Sequence, residues 1–141
     1  MSDGENVAID PADYVAIQQL LGRYCQLVDA GDAEGWADLF LEDGEFVVEG
    51  GATMRGRAQL AEIVRDVTAR ECIRHWIGAP VVTSANGVRM TARTYQLNLN
   101  LPRDGGGLAF IRRATTAEWT FAKADGAWRI ARRSTRVDAE V

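Results

Sequence analysis

The sequence predicts an α+β fold in which three N-terminal helices cover one face of a curved, mainly antiparallel sheet. Three observations carry this expectation. Leu60, Ile63, Val64 and Val67 form an apolar stripe at i, i+3, i+4, i+7 spacing, which is helical. Almost everything after that stripe reads as strand. Two turn dipeptides, Asn86-Gly87 and Asp125-Gly126, separate extended runs and mark hairpins. Helices first and a strand meander afterwards give two layers around one core.

Residues 1–9 read as a flexible tail and residues 10–141 as a single domain. Asp10 can cap a first helix, and Pro11 suits its first turn. Ile17, Leu20, Leu21, Tyr24 and Val28 give that helix one apolar stripe, and Gly31 closes it. Asp32 can cap a short second helix with Trp36, Leu39 and Phe40 as its buried face. Asp43-Gly44 reads as a turn, residues 45–49 as a strand, and Gly50-Gly51 as its break. The third helix spans residues 57–69. Strands follow over 71–84, 88–101, 108–123 and 127–137, with a glycine-rich loop at 102–107.

The 141 residues are 47% hydrophobic, enough for one domain with its own core. No apolar run is long enough to span a membrane. The start, Met1-Ser2-Asp3-Gly4-Glu5-Asn6, is polar and acidic and unlike a signal peptide. Two cysteines, Cys25 and Cys72, make no disulfide framework, so a reduced cytoplasmic protein is the simpler expectation. A net charge of −4 argues against a nucleic-acid partner. The long strands carry apolar residues on both parities, such as Trp76 and Val82 against Ile77 and Val81. Such faces usually need cover, which predicts a homo-oligomer, a dimer or trimer, packed through the outer sheet face.

The chain has one histidine, His75. Strand alternation places it with Ile73, Ile77, Ala79 and Val81 on an apolar, inward face. An inward imidazole needs a polar partner, because an unpaired buried polar group costs roughly 1–3 kcal/mol. A bond to a backbone carbonyl would suffice; so would an acid. Asp29 is the candidate acid. It lies at the edge of the first helix's stripe, about 100° from Val28, and an acid in a last turn opposes the helix dipole. An exposed Asp making a local turn bond is the alternative. Tyr24 lies mid-stripe, so its ring is buried, and its hydroxyl reaches either a cavity or backbone. One histidine without a cluster of Cys, His or acids is poor grounds for a metal. Cys72 and His75 fall on opposite strand faces, and no metal is expected. Gly105-Gly106-Gly107 opens no helix and is not a phosphate loop.

The segments Leu21-Gly22-Arg23-Tyr24, Val28-Asp29, Asp38-Leu39-Phe40-Leu41-Glu42-Asp43-Gly44-Glu45-Phe46, Arg55-Gly56-Arg57, Arg74-His75 and Asp125-Gly126-Ala127-Trp128-Arg129-Ile130 through Arg133 are individually unspecific. In this order and spacing they resemble the SnoaL-like branch of the NTF2-like superfamily, which includes ketosteroid isomerase and scytalone dehydratase. The resemblance implies a cone of helices closed over a curved sheet around an apolar pocket. It is nearest to the dehydratase-like group, with scytalone dehydratase, the bile-acid 7α-dehydratases and a hexachlorocyclohexane dehydrochlorinase. In that group an Asp ending the first helix pairs with a His on the first long strand, which maps to Asp29 and His75. A first-helix Tyr maps to Tyr24. The C-terminal strand often supplies an Arg, here Arg133 or Arg132, of which alternation lets only one face inward. Scytalone dehydratase uses a second histidine and a second tyrosine; this chain has no second histidine, and Phe46 stands near the expected tyrosine.

The resemblance thus implies a lyase or isomerase, needing no cofactor, on a hydrophobic, carbonyl-bearing, ring-containing small molecule of polyketide or steroid type. His75 would be the base, Asp29 its orienting partner and Tyr24 a donor to substrate oxygen. Ile17, Leu21, Trp36, Phe40 and the inward Arg would line the pocket and bind substrate. Two other readings stay open: a non-catalytic binding or assembly module of the same fold, or a structural small subunit like the β subunit of ring-hydroxylating dioxygenases.

Overall fold

The computed structural model describes residues 6–141. The expected tail at 1–9 lies outside the described residues as far as position 5; beyond it, Val7 and Ile9 pack against the core. Helix α1 (Pro11–Ala30) starts as its sequence dictates, with the Asp10 carboxylate accepting from the Ala12 amide at 2.9 Å. It buries Ile17, Leu20, Leu21, Tyr24 and Val28. It ends at Gly31, whose φ of +75° is strained for any residue with a Cβ and whose N–H closes on the Leu27 and Val28 carbonyls.

Helix α2 (Ala33–Ala37) is capped by Asp32 and is shorter than expected. Leu39 and Phe40 are buried, but Phe40 opens strand β1 (Phe40–Val48) instead of closing the helix. Asp43-Gly44 is not a turn. It lies within β1 at a bulge, where the register shifts between Phe40 and Glu45. A Cβ on Gly44 would stand 2.8 Å from the Phe40 Cβ, so the bulge needs glycine there. A short strand not foreseen from the sequence, β2 (Thr53–Arg55), folds back antiparallel on β1. Helix α3 (Arg57–Arg70) then buries Leu60, Ala61 and Val64; full burial of Leu60 and Val64 is worth roughly 1.5–3 kcal/mol each.

The single strand expected over 71–84 is two, β3 (Ile73–Ile77) and β4 (Val81–Ala85). Between them Pro80 has no amide hydrogen to give to a ladder. The break also inverts the alternation: Val82 is buried and Val81 is 67% exposed, the reverse of the expected facing, and Ala79 is exposed as well. Strands β5 (Arg89–Asn100), β6 (Phe110–Ala124) and β7 (Ala127–Glu140) complete the chain. Both hairpins stand where the turn dipeptides put them. Asn86 Oδ1 accepts from the Val88 and Arg89 amides. Asp125 and Gly126 have φ of 52° and 78°, the geometry of a type I′ turn.

The sheet runs β2-β1-β7-β6-β5-β3, with β4 also paired to β5. Every pairing is antiparallel except β1 with β7. It is curved and unclosed. Its inner face changes character along its length. Met90, Ala92, Phe121 and Ile130 are apolar and pack in one core with Ile17, Phe40, Leu60 and Val64. Further along, Gln96, Asn98, Thr115, Arg133 and Thr135 are equally buried but polar. The site lies at this second end.

Candidate active site

Strand β3 is a sheet edge, paired only with β5. Leu101 donates to the Cys72 carbonyl at 2.8 Å and Gly78 to the Tyr95 carbonyl at 2.9 Å. In an antiparallel ladder this phase turns the N–H groups of residues 73, 75 and 77 away from β5. The His75 amide therefore faces α1, where the last turn presents Asp29. That amide donates to both Asp29 oxygens at 3.2 Å, and the His75 ring nitrogen Nδ1 lies 2.6 Å from Asp29 Oδ1. A carboxylate only accepts, so Nδ1 carries the hydrogen, and in the neutral ring the lone pair is on Nε2. Arg74 Nε adds a contact at 3.5 Å to Oδ2. The two side chains are 11% and 13% exposed, so the pair is largely shielded from water. An acid at a helix C-terminus, unfavourable within the helix, is here held by a strand from elsewhere in the chain.

Of the two candidate arginines, Arg133 faces inward and is 3% exposed, while Arg132 faces solvent. The Arg133 guanidinium lies 5.0 Å from the ring centres of Phe46 and Trp119 and 5.6 Å from that of Tyr24. Its Nη2 donates to Gln96 Oε1 at 2.9 Å, and Gln96 Nε2 donates to Asn98 Oδ1 at 2.6 Å. Arg133 Nε has no hydrogen-bond partner.

Tyr24 is 3% exposed and packs on Trp36 and Trp119 at ring separations of 5.1 and 5.2 Å. Burial pushes its hydroxyl up to about 12, with Arg133 acting in the opposite sense. Tyr24 is thus a neutral donor at any ordinary pH. Of the expected pocket residues, Leu21 edges a cleft of about 270 Å³ with Gln18, Gly22, Cys25 and Ile77, while Ile17, Trp36 and Phe40 are buried in the core. Together with Tyr24 these three fill the space between α1, α2 and the sheet. Two open clefts flank the dyad. One cleft of about 380 Å³ lies among Val28, Asp29, Val67, Thr68, His75 and Arg103. Another of about 580 Å³ lies among Gly22, Cys25, Asp29, Arg74, His75 and Trp76.

The sequence reading missed Gln96 and Asn98. In β5 the residues that alternate with them, Tyr95, Leu97 and Leu99, are the apolar set, so alternation alone points that set inward. Cys25 and Cys72 are free thiols. Burial first, and the charge of Asp29 second, push Cys25 up to about 11, so it stays protonated. Among the described residues no three His, Cys, Asp or Glu side chains converge as metal ligands, and no helix is long and apolar enough to cross a membrane.

This architecture, an open curved sheet with helices over a polar-ended interior, is the NTF2-like, cystatin-like fold. The chain belongs to the SnoaL-like domain family, whose model matches residues 11–134. It is similar to an NTF2-like protein with a cystatin-like fold from Novosphingobium aromaticivorans, at 33% identity and a TM-score of 0.80 over 90% of this chain and 82% of that one. A single-substitution variant of Rv3472, a Mycobacterium tuberculosis protein of unknown function, shares 31% identity and a TM-score of 0.82 over 95% of this chain and 79% of that one. A proposed scytalone dehydratase from Novosphingobium aromaticivorans shares the fold at 19% identity and a TM-score of 0.80, over 92% and 87%. No curated protein matches the chain.

Proposed function

We propose that this protein is a lyase or isomerase of the dehydratase type, using its own side chains as acid and base on a hydrophobic, carbonyl-bearing small molecule. The observation that carries the reading is the double grip of Asp29 on His75, through the backbone amide and through Nδ1. It leaves Nε2 as the base, and the ionised carboxylate stabilises the imidazolium that forms when Nε2 takes a proton. The substrate loses a proton from the carbon beside its carbonyl; a leaving group, if present at the next carbon, then departs. Tyr24 shares helix α1 with Asp29 and is a neutral donor for substrate oxygen. The packed apolar rings around it favour a ring-containing substrate, which must open them or enter from the dyad-flanking clefts. The exposed outer sheet face, with Trp76 and Tyr95, supports assembly as a homo-oligomer.

The test works before any natural substrate is identified. Cyclic ketones incubated with the protein in D2O gain deuterium beside the carbonyl if His75 abstracts that proton, as read by mass spectrometry. The reading expects exchange with the wild type and none with His75→Ala. Equal exchange by both proteins sinks it and leaves the non-catalytic binding or assembly module.

A further inference from the structure

We propose that Asn98 is an oxyanion donor of this site, held in that role by Arg133 through Gln96; the inference rests on the proton-abstraction reading above and assigns a group that stabilises the negative charge formed on substrate oxygen. Arg133 can only donate hydrogen bonds, so Gln96 must present its oxygen to Nη2. Gln96 then presents its NH2 to Asn98, which must answer with oxygen. The NH2 of Asn98 is therefore the free end of the chain, and its orientation is fixed by chemistry two residues away. Asn98 makes no other side-chain hydrogen bond among the described residues and is 4% exposed, so a nearly buried side chain keeps one donor group free.

Its position matches the base. Asn98 stands directly across from His75 in the β3–β5 ladder. The His75 amide points away to Asp29, which makes this the narrow, non-hydrogen-bonded kind of pair, with Cα atoms about 4.5 Å apart and side chains close. When His75 Nε2 takes the proton beside a carbonyl, the C–H pair becomes the C=C of an enolate and the carbonyl π pair moves onto oxygen. That oxygen accepts from the Asn98 N–H. The charged end of the relay polarises each bond after it, so the terminal N–H donates more strongly than an isolated amide. Arg133 has no carboxylate partner among the described residues, and three ring faces and one amide are all that offset it. A buried, uncompensated cation favours an anion forming nearby. Gln96 and Arg133 are positioning residues; of the three members of the relay, Asn98 alone touches the oxygen, beside the Tyr24 hydroxyl.

4-Nitrophenol tests this, because its phenolate is an oxyanion and is coloured where the neutral phenol is not. The wild type should bind the phenolate in preference to the phenol, seen as a gain in phenolate absorbance on titration with protein. Asn98→Asp keeps an acceptor for Gln96 but replaces the free donor with an acceptor, and should weaken phenolate binding about tenfold or more. Asn98→Ser, which withdraws the donor without a buried acid, should do the same. Gln96→Glu should also lower the preference for the phenolate, although it leaves Asn98 in place. Thermal melts verify that each variant is folded. Absence of phenolate preference in the wild type, or equal preference in folded Asn98 variants, overturns the proposal. Deuterium exchange that survives His75→Ala, alongside phenolate binding lost in Asn98→Asp, would instead retire the base and keep the donor.

Discussion

Asp29 holds His75 at two points 46 residues along the chain, accepting from its backbone N–H at 3.2 Å and from its ring Nδ1 at 2.6 Å. The first bond satisfies an edge-strand amide that no neighbouring strand reaches; the second sets the tautomer. One carboxylate thus serves the fold and, on the proposed mechanism, the chemistry as well, and the two roles separate by mutation.

Asp29→Ala should destabilise the protein by about 1–3 kcal/mol, because the His75 amide and ring lose their acceptor in a nearly buried place. Asp29→Asn should cost less, since the amide oxygen still accepts one of the two. Urea unfolding of both variants separates these outcomes.

On the proposed chemistry, His75→Ala should remove deuterium exchange, and Asp29→Asn should reduce it by about 100-fold or more, because an amide cannot stabilise the imidazolium. Tyr24→Phe should lose about tenfold or less, as one donor among several. Initial exchange rates on one ketone rank the three.

Stability should fall at alkaline pH. Buried Tyr24 and Cys25 hold their protons up to about 12 and about 11, against 10.0 and 9.0 when unfolded. Between those values the native state binds more protons than the unfolded one, so the contribution of these two groups is complete below pH 9.0 and declines above it. The slope is at most about 1.4 kcal/mol per pH unit for each group. Cys25→Ala should move the onset of decline from near pH 9 toward pH 10, where Tyr24 takes over. Melting curves over that range check it.

Arg133→Met should shift stability by less than about 2 kcal/mol, since relief of a buried charge offsets the unpaired Gln96 oxygen. Exchange should nonetheless drop, because the relay to Asn98 loses its charged end. A large loss of stability with undiminished exchange would make Arg133 a packing residue.

Much of this is legible in the sequence. The α3 stripe, the two hairpin dipeptides and the Asp10 and Gly31 caps are local signals, and they define the layout without any tertiary contact. The Asp29–His75 proximity is legible as an awkward acid and an inward histidine. Three things are not. The break after Ile77 depends on Pro80 in a run that otherwise reads as strand, and it inverts the facing of Val81 and Val82. The bulge at Gly44 looks locally like a turn. The polar interior of β5 is hidden because Tyr95, Leu97 and Leu99 lie on the outer face; hydrophobicity alone turns that strand inside out. Only Met90 and Ala92 at its start, and the register with His75, give the true facing.

That outer face yields its own expectation. Trp76 and Leu97 are cross-strand partners, and with Tyr95, 74% exposed, they leave apolar surface on the sheet. Light scattering at micromolar concentration should give a multiple of the 15.4 kDa chain mass. Trp76→Glu should lower that mass; a monomeric wild type would contradict the expectation.

The central claim is that Asp29 fixes His75 with hydrogen on Nδ1 and a free Nε2. Because the chain has one histidine, 15N-histidine labelling gives a single imidazole in the NMR spectrum. The neutral ring should show Nδ1 as the protonated, pyrrole-like nitrogen with a one-bond coupling to hydrogen, and Nε2 as the pyridine-like one, and this pattern should be lost in Asp29→Ala. Hydrogen on Nε2 in the wild type, or a spectrum that Asp29→Ala leaves unchanged, would contradict the account.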